Sequence, residues 1–432
     1  VKAVFTYSVR LTVRTDPYGA GITVPEAQTA YAYPPNEWVA VSAKAKDGYV
    51  FTHWTGPVEN PASANTRVFM DDWHEVVAVF RKMPLPNSMD CATDWAAVIR
   101  NGVVWVVGNN GSSQMGHDLP VPNAGEFWPV ALYEGAKQIS AEDNGARVVC
   151  TDGTMVAWGS GYMHYQLGSN PHPAYLSVTN VVQCTGGSNL VGFFRKADGT
   201  LVDYLDSPIQ SGFGAGPLGN LIDVTSNGAA HFVVDSDGLL YAWGSNLGGQ
   251  LGIPGVVSGD APREVPGIDR VYATVLGVDS FRPFTLALRN DGTVWSWGDP
   301  RGGQLGRVPS EEEPADIPAP VPGLADIVKV AAGSNHALAI SHGGQLYTWG
   351  TNQFGQLGTG NYENAATPVP VATPALVLDV AAGPFYSLIY LADDTYCWMG
   401  MTPGAPDVPL TTPTVIPGLR SEERRVGKEC RA

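Results

Sequence analysis

The chain has 432 residues, 44% of them hydrophobic and 15% charged, and a formal net charge of −16. That length points to several domains or a repeat array, and the apolar content excludes a chain disordered throughout. The acidity argues against a nucleic-acid partner, five cysteines are too few for a disulfide scaffold, and no apolar run is long enough to span a membrane.

Gly (51) and Pro (34) are abundant, which suits short strands and many turns. In chain order, Val1–Phe5 (VKAVF) resembles Val76–Phe80 (VVAVF) and reads as the last strand of an upstream copy of the first domain. Tyr7–Val13 alternates with β-branched residues, as a strand does, and Asp16–Gly21 is a turn cluster. Trp38–Ala43 alternates again, and Gly48-Tyr49-Val50-Phe51-Thr52-His53-Trp54-Thr55-Gly56 precedes a closing strand at Glu75–Phe80. This order resembles the internalin B-repeat-like domains of bacterial surface proteins, over residues 6–82. The resemblance implies a small β-domain acting as a stalk or spacer on a secreted or wall-attached protein. Tyr49, Phe51 and Trp54 are expected in its core, because a domain this small needs aromatic burial. His53 and His74 lack further ligands at metal spacing.

Residues 83–419 are periodic. Leu240–Gly244, Val294–Gly298 and Leu346–Gly350 end in Trp-Gly, and each precedes a Gln-Leu-Gly at 250–252, 304–306 or 356–358. Weaker copies place the same Gly at 108, 159 and 400, and a further copy lies at Asp198–Leu205. Units of about fifty residues are a propeller or solenoid period. Within a unit, a short strand such as Ile327–Ala332 leads to a second at His336–Ile340. An Asp-Gly turn, expected to be of the primed hairpin type, leads to the aromatic strand. A long loop then reaches a fourth strand near a Pro, as at Thr367–Pro370. Seven such units predict an all-β fold: a seven-bladed β-propeller behind a small N-terminal β-repeat domain.

These motifs resemble the regulator of chromosome condensation repeat family. Ala331-Ala332-Gly333-Ser334-Asn335-His336-Ala337-Leu338-Ala339 and Trp349–Gly358 form a near-complete copy, and five Gln-Leu/Met-Gly elements recur. The family's founding member is a nucleotide exchange factor that uses a β-wedge, and no wedge insertion is evident here. Secreted bacterial members, including an inhibitor of β-lactamases, fit the first domain better. The fold by itself does not choose a ligand.

Trp243, Trp297 and Trp349 are expected to pack blade on blade. His231 and His336 are read as sharing one repeat position on an inner strand. Strand direction puts the loops between strands one and two, and between three and four, on one face. That face is long and irregular, so specificity is expected there. Its aromatic departures are Ser160–Tyr165, Val278–Pro283 and Asn352-Gln353-Phe354. The expected binding residues are Tyr162, His164, Tyr165, Phe281, Arg282 and Phe354, facing a protein or glycan partner. No catalytic motif, cofactor or metal site is found, and Asp235–Gly238 lacks the later Glu of a calcium loop. The expected function is non-enzymatic: recognition or adhesion by a secreted or cell-surface monomer, without nucleic acid or membrane insertion. The alternative is a regulator of a partner enzyme, by nucleotide exchange on a small GTPase or by inhibition of a secreted enzyme. Cys91, Cys150, Cys184 and Cys397 are expected to be small buried residues. Residues 420–432 break the composition abruptly and read as a translated sequencing-adapter artefact.

Overall fold

A computed structural model describes the chain outside residues 1–7, 19, 46–48, 62, 83–88, 112, 117–123, 131, 133–134, 160–169, 186–191, 204–205, 207–220, 278–282, 404 and 417–432. The Val1–Phe5 strand and the 420–432 tail proposed from sequence therefore lie outside the described residues. The described residues form strands and turns and no helix, in two compact units, 1–85 and 86–432.

The first unit pairs a four-stranded sheet with a three-stranded one. Val9–Asp16 lies parallel to His74–Lys82, and Trp38–Ala45 is central to the smaller sheet. Val9–Asp16 alternates buried and exposed along its length, so one face supplies Val9, Leu11 and Val13 to the core. Phe51 and Trp54 are in that core, tilted at 5.9 Å, as a domain this small requires, while the side chain of Tyr49 lies outside the described ones. His74 is taken up by Asp71, with Nε2 to Oδ1 at 2.7 Å.

The second unit holds seven sheets among the described residues. Six have four antiparallel strands and one, built from Val181–Cys184, Phe194–Lys196 and Leu201–Val202, has three. A representative sheet is Ile327–Ala332, His336–Ser341, Leu346–Gly350 and Ala365–Val371. Its outermost strand carries Pro368 and Pro370, residues confined to sheet edges because they donate nothing to a ladder. Each sheet packs on the next in chain order, and the seventh packs on the first, which closes a ring.

Among the described residues the closure uses no exchanged strand. The first sheet is made of Met89–Cys91, Trp95–Arg100, Val103–Gly108 and Ala124–Val130, the last of strands between 377 and 415. Side chains join them instead. The Tyr386 hydroxyl lies 2.7 Å from the Ala92 carbonyl and 2.8 Å from that of Trp95. Phe127 packs on Tyr396 at 5.8 Å, and Arg100 pairs with Asp394.

The Asp-Gly hairpins correct one expectation. They are not primed two-residue turns. In Arg289–Thr293, Gly292 N–H donates to Arg289 O, and Arg289 N–H donates to Thr293 O. Only the glycine has positive φ, at 79°. This is the three-residue loop with a left-handed residue at its end, and 150–154, 196–200 and 235–239 repeat the pattern. The aspartate serves the turn through its side chain: Asp291 Oδ1 accepts the Thr293 N–H and hydroxyl.

Candidate functional site

The signature residues of the repeat are spent on holding neighbouring sheets together. Trp297 Nε1 donates to the carbonyl of Gln250, in the Gln-Leu-Gly of the preceding sheet, at 2.7 Å. Trp349 does the same to Gln304 and Trp158 to Gln114. The glycine that ends each motif lies under that indole. A Cβ on Gly306 would stand 2.8 Å from Trp349 Nε1, and one on Gly252 at the same distance from Trp297 Nε1. In the seventh sheet Met399 takes the tryptophan register, and the Ser387 hydroxyl donates to Gln356 O instead. Trp243 packs against Phe193 at 5.6 Å. Trp349→Phe, which removes the donor and leaves a smaller ring in a fully buried site, is expected to cost about 2–4 kcal/mol in urea unfolding.

The histidine expectation also needs correction. His336 pairs with Gly350, whereas His231 pairs with Trp243, one residue further along the strand. They occupy different register positions, on opposite faces of their sheets. Trp95, His336 and Tyr386 share the true position, and each reaches the following sheet. Burial lowers the pKa of His231 and of His336 to about 4, so both are neutral near pH 7. The Ser387 proton goes to Gln356 O, so Ser387 Oγ accepts from His336 Nε2 at 2.9 Å. The pair therefore has the wrong polarity for a serine nucleophile activated by a base.

Of the six residues expected to bind a partner, Tyr162, His164, Tyr165, Phe281 and Arg282 lie outside the described residues. Phe354 is half-buried at the loop end of the ring. It meets Phe385, of the next sheet's first loop, edge-on at 5.2 Å and 61°. Its neighbour Asn352 is not a loop tip but is fully buried. Asn352 Oδ1 accepts the Leu357 N–H, and its amide donates to Asn361 O, so it ties the loop together. Asn246 does the same work in the fourth sheet, with Leu251 and Val256.

Sequence reasoning missed Phe385 and the other exposed apolar side chains of this end: Leu247, Val257, Val308 and Tyr362. A signal was available for Phe385. Asn335 stands at its place in the sixth sheet, beside Gly302, where the next repeat has Phe354. A paired change from Gly and Asn to two phenylalanines marks this junction.

Arg307 shapes the loop at 307–318. Its guanidinium is buried and donates to the carbonyls of Ser296, Glu313, Pro314 and Ile317 at 3.0–3.1 Å. Burial lowers its pKa.

Inner strands carry a second polar set. Lys329 pairs with Asp379 of the following sheet. Asp223 accepts the Gln183 amide at 2.6 Å and the Thr274 N–H at 2.9 Å. Asp90 accepts the N–H groups of Cys91 and Ala141, and burial raises its pKa to about 6. Each group links one sheet to the next. Asp235 of the calcium-like segment binds the N–H groups of Asp237 and Leu239, an ordinary turn. Among the described residues no group of three or more His, Cys, Asp or Glu could hold a metal ion. Cys91, Cys150, Cys184 and Cys397 are buried and in no disulfide among the described residues.

A closed ring of small antiparallel sheets, tied by one recurring tryptophan-to-loop bond, defines a β-propeller built from sequence repeats. The chain carries regulator of chromosome condensation (RCC1) repeats, matched at 237–281, 291–340 and 343–390, behind a divergent InlB B-repeat domain at 11–84. It is 36% identical over 172 residues to the E3 ubiquitin-protein ligase HERC2 of Mus musculus, covering 39% of this chain and 4% of HERC2. It is 29% identical over 219 residues to the mitochondrial RCC1 domain-containing protein RUG3 of Arabidopsis thaliana, covering 46% of this chain and 48% of RUG3. It therefore spans less than half the length of these curated relatives. The crystal structure of human WBSCR16 shares the fold, with a TM-score of 0.57 and 22% identity over 71% of this chain and 87% of that one.

Proposed function

We propose that this chain is a non-enzymatic recognition protein whose propeller captures a protein partner on its loop end. The observation that carries this reading is the division of labour along each repeat. The recurring Trp, Gln, Gly and Asn residues bond sheet to sheet and loop to loop. What varies is the loops at one end, and they expose Val308, Tyr362 and Phe385. Exposed aromatic side chains on a rigid scaffold are the usual anchors of protein interfaces. A protein fits better than a glycan, because Phe354 and Phe385 meet edge-on and form no flat stacking platform. In this reading the B-repeat unit serves as a spacer on a secreted or cell-surface protein. A regulator of a partner enzyme would use the same end, and measurable turnover in a nucleotide-exchange assay would favour that second reading.

The test is a photo-reactive amino acid placed at position 362, and separately at position 237 in a hairpin of the opposite end. Discrete protein adducts at 362 and none at 237 are expected. Equal labelling at both positions would remove the reading. Protection of the chain from protease added to intact producing cells would remove its surface location.

A further inference from the structure

Both ends of the propeller carry exposed carboxylates in no ion pair among the described residues, Asp152 and Asp237 at the hairpin end among them, and at the loop end they stand in loops that also expose Val308 and Tyr362. At the hairpin end Arg100, Arg270 and Arg289 are neutralised in place. Arg100 pairs with Asp394, and Arg270 and Arg289 pair with Asp269 and Asp291. At the loop end Arg301 pairs with Asp299, and Arg307 is buried among carbonyls. The exposed Glu311, Glu312, Glu313, Asp316 and Glu363 of that end are in no ion pair among the described residues. The apolar side chains that mark the docking end, Val308, Tyr362 and Phe385, belong to the same loops or to the next sheet's loop. The loops are joined across sheets: Phe354 reaches Phe385, and Gly249 abuts Asp316.

We propose that the occupant of this end is a Lys- and Arg-rich protein segment that also presents an apolar side chain to the Phe354–Phe385 junction. The inference rests on the docking role just proposed and adds the partner's chemistry. An apolar anchor supplies the contact, and a surrounding field of one sign selects the partner and speeds its arrival. An acidic or neutral segment would meet that apolar surface against unpaired carboxylates. A basic one would exchange water for ion pairs at the rim of the contact.

The experiment is selection of a random-peptide phage library on the full chain, followed by sequencing of the enriched peptides. Enrichment in Lys and Arg together with aliphatic or aromatic residues is expected. A synthesised binder should then lose about tenfold in affinity to Phe385→Ser and to the double change Glu311→Gln with Glu312→Gln. It should keep its affinity for the matched double change at the hairpin end, Asp237→Asn with Glu264→Gln, and weaken as salt rises. Unchanged melting temperatures confirm that the variants remain folded. Neutral or acidic binders that still depend on Phe385 would overturn the basic partner while leaving the docking role standing. Basic binders lost equally to the hairpin-end change would overturn it as unspecific charge attraction. Binders indifferent to Phe385, or no enrichment, would overturn both.

Discussion

Tyr386→Ala is expected to destabilise the propeller by about 3–5 kcal/mol, the usual cost of emptying a buried aromatic site. Tyr386 is 1% exposed and packs edge-on to Trp398 at 5.4 Å. Its hydroxyl crosses from the last sheet to the first, where it faces the Ala92 and Trp95 carbonyls. The other seams run between sheets already adjacent in sequence. This one joins residues almost 300 positions apart. Tyr386→Phe separates the hydroxyl from the ring and is expected to cost about 1–3 kcal/mol, because a buried carbonyl is left without its donor. Urea unfolding measures both. Hydrogen exchange should show the loss first in Trp95–Arg100 and Tyr386–Leu391, the strands on either side of the seam. An even loss of protection around the whole ring would show that the seam is no weaker than the others.

Asp90 is expected to make the ring more stable in mild acid than this acidic chain otherwise would be. Burial beside Cys91 and the Ala141 strand disfavours its charge. The N–H groups of Ala141 and Cys91, and then the Lys329 ammonium, offset only part of that cost, so the pKa rises from 3.8 to about 6. The folded state therefore holds this proton where the unfolded state has lost it. Its stabilising contribution is fully present below pH 3.8 and is lost as the pH climbs through 6. The shift corresponds to an upper bound of about 3 kcal/mol. Asp90→Asn removes the titration and keeps the shape, although its amide can accept only one of the two N–H groups. The measured quantity is the difference in unfolding free energy between wild type and Asp90→Asn at pH 4.5 and at pH 7.5. That difference should move against the wild type by about 2 kcal/mol as the pH rises. A constant difference would mean that the folded state does not desolvate this carboxylate.

The repeat itself was readable because it is local. Trp-Gly, Gln-Leu-Gly and Asp-Gly each specify a turn or a strand end within a few residues, and strands such as Ile327–Ala332 fall where the pattern put them. Phe51 and Trp54 were readable as core from their size in a domain this small, although three residues apart on a strand they reach one face only through the register shift between Phe51 and His53. The histidines were misaligned because one residue of register moves a side chain to the other face. The sequence around His231 offers Gly-Ala-Ala before the histidine where the other copy has Gly-Ser-Asn, with no mark of the shift. The role of Asn352 is not legible in the sequence, where an asparagine in a long loop carries no mark of its partners. Only the folded loop shows both ends of its amide engaged.

The amino-acid sequence alone determined a chain of small antiparallel sheets, each packed on its successor through a recurring tryptophan. Hairpins and neighbouring repeats are short-range in the chain, so their pattern is written in consecutive residues. The tertiary structure alone decided that the last sheet meets the first through Tyr386, Phe127 and Arg100 rather than through a shared strand. It also decided that the carboxylates of the 307–318 and 351–364 loops come to the same end of the ring as the exposed Val308, Tyr362 and Phe385. Both outcomes depend on the small rotation accumulated from sheet to sheet, which no single repeat encodes.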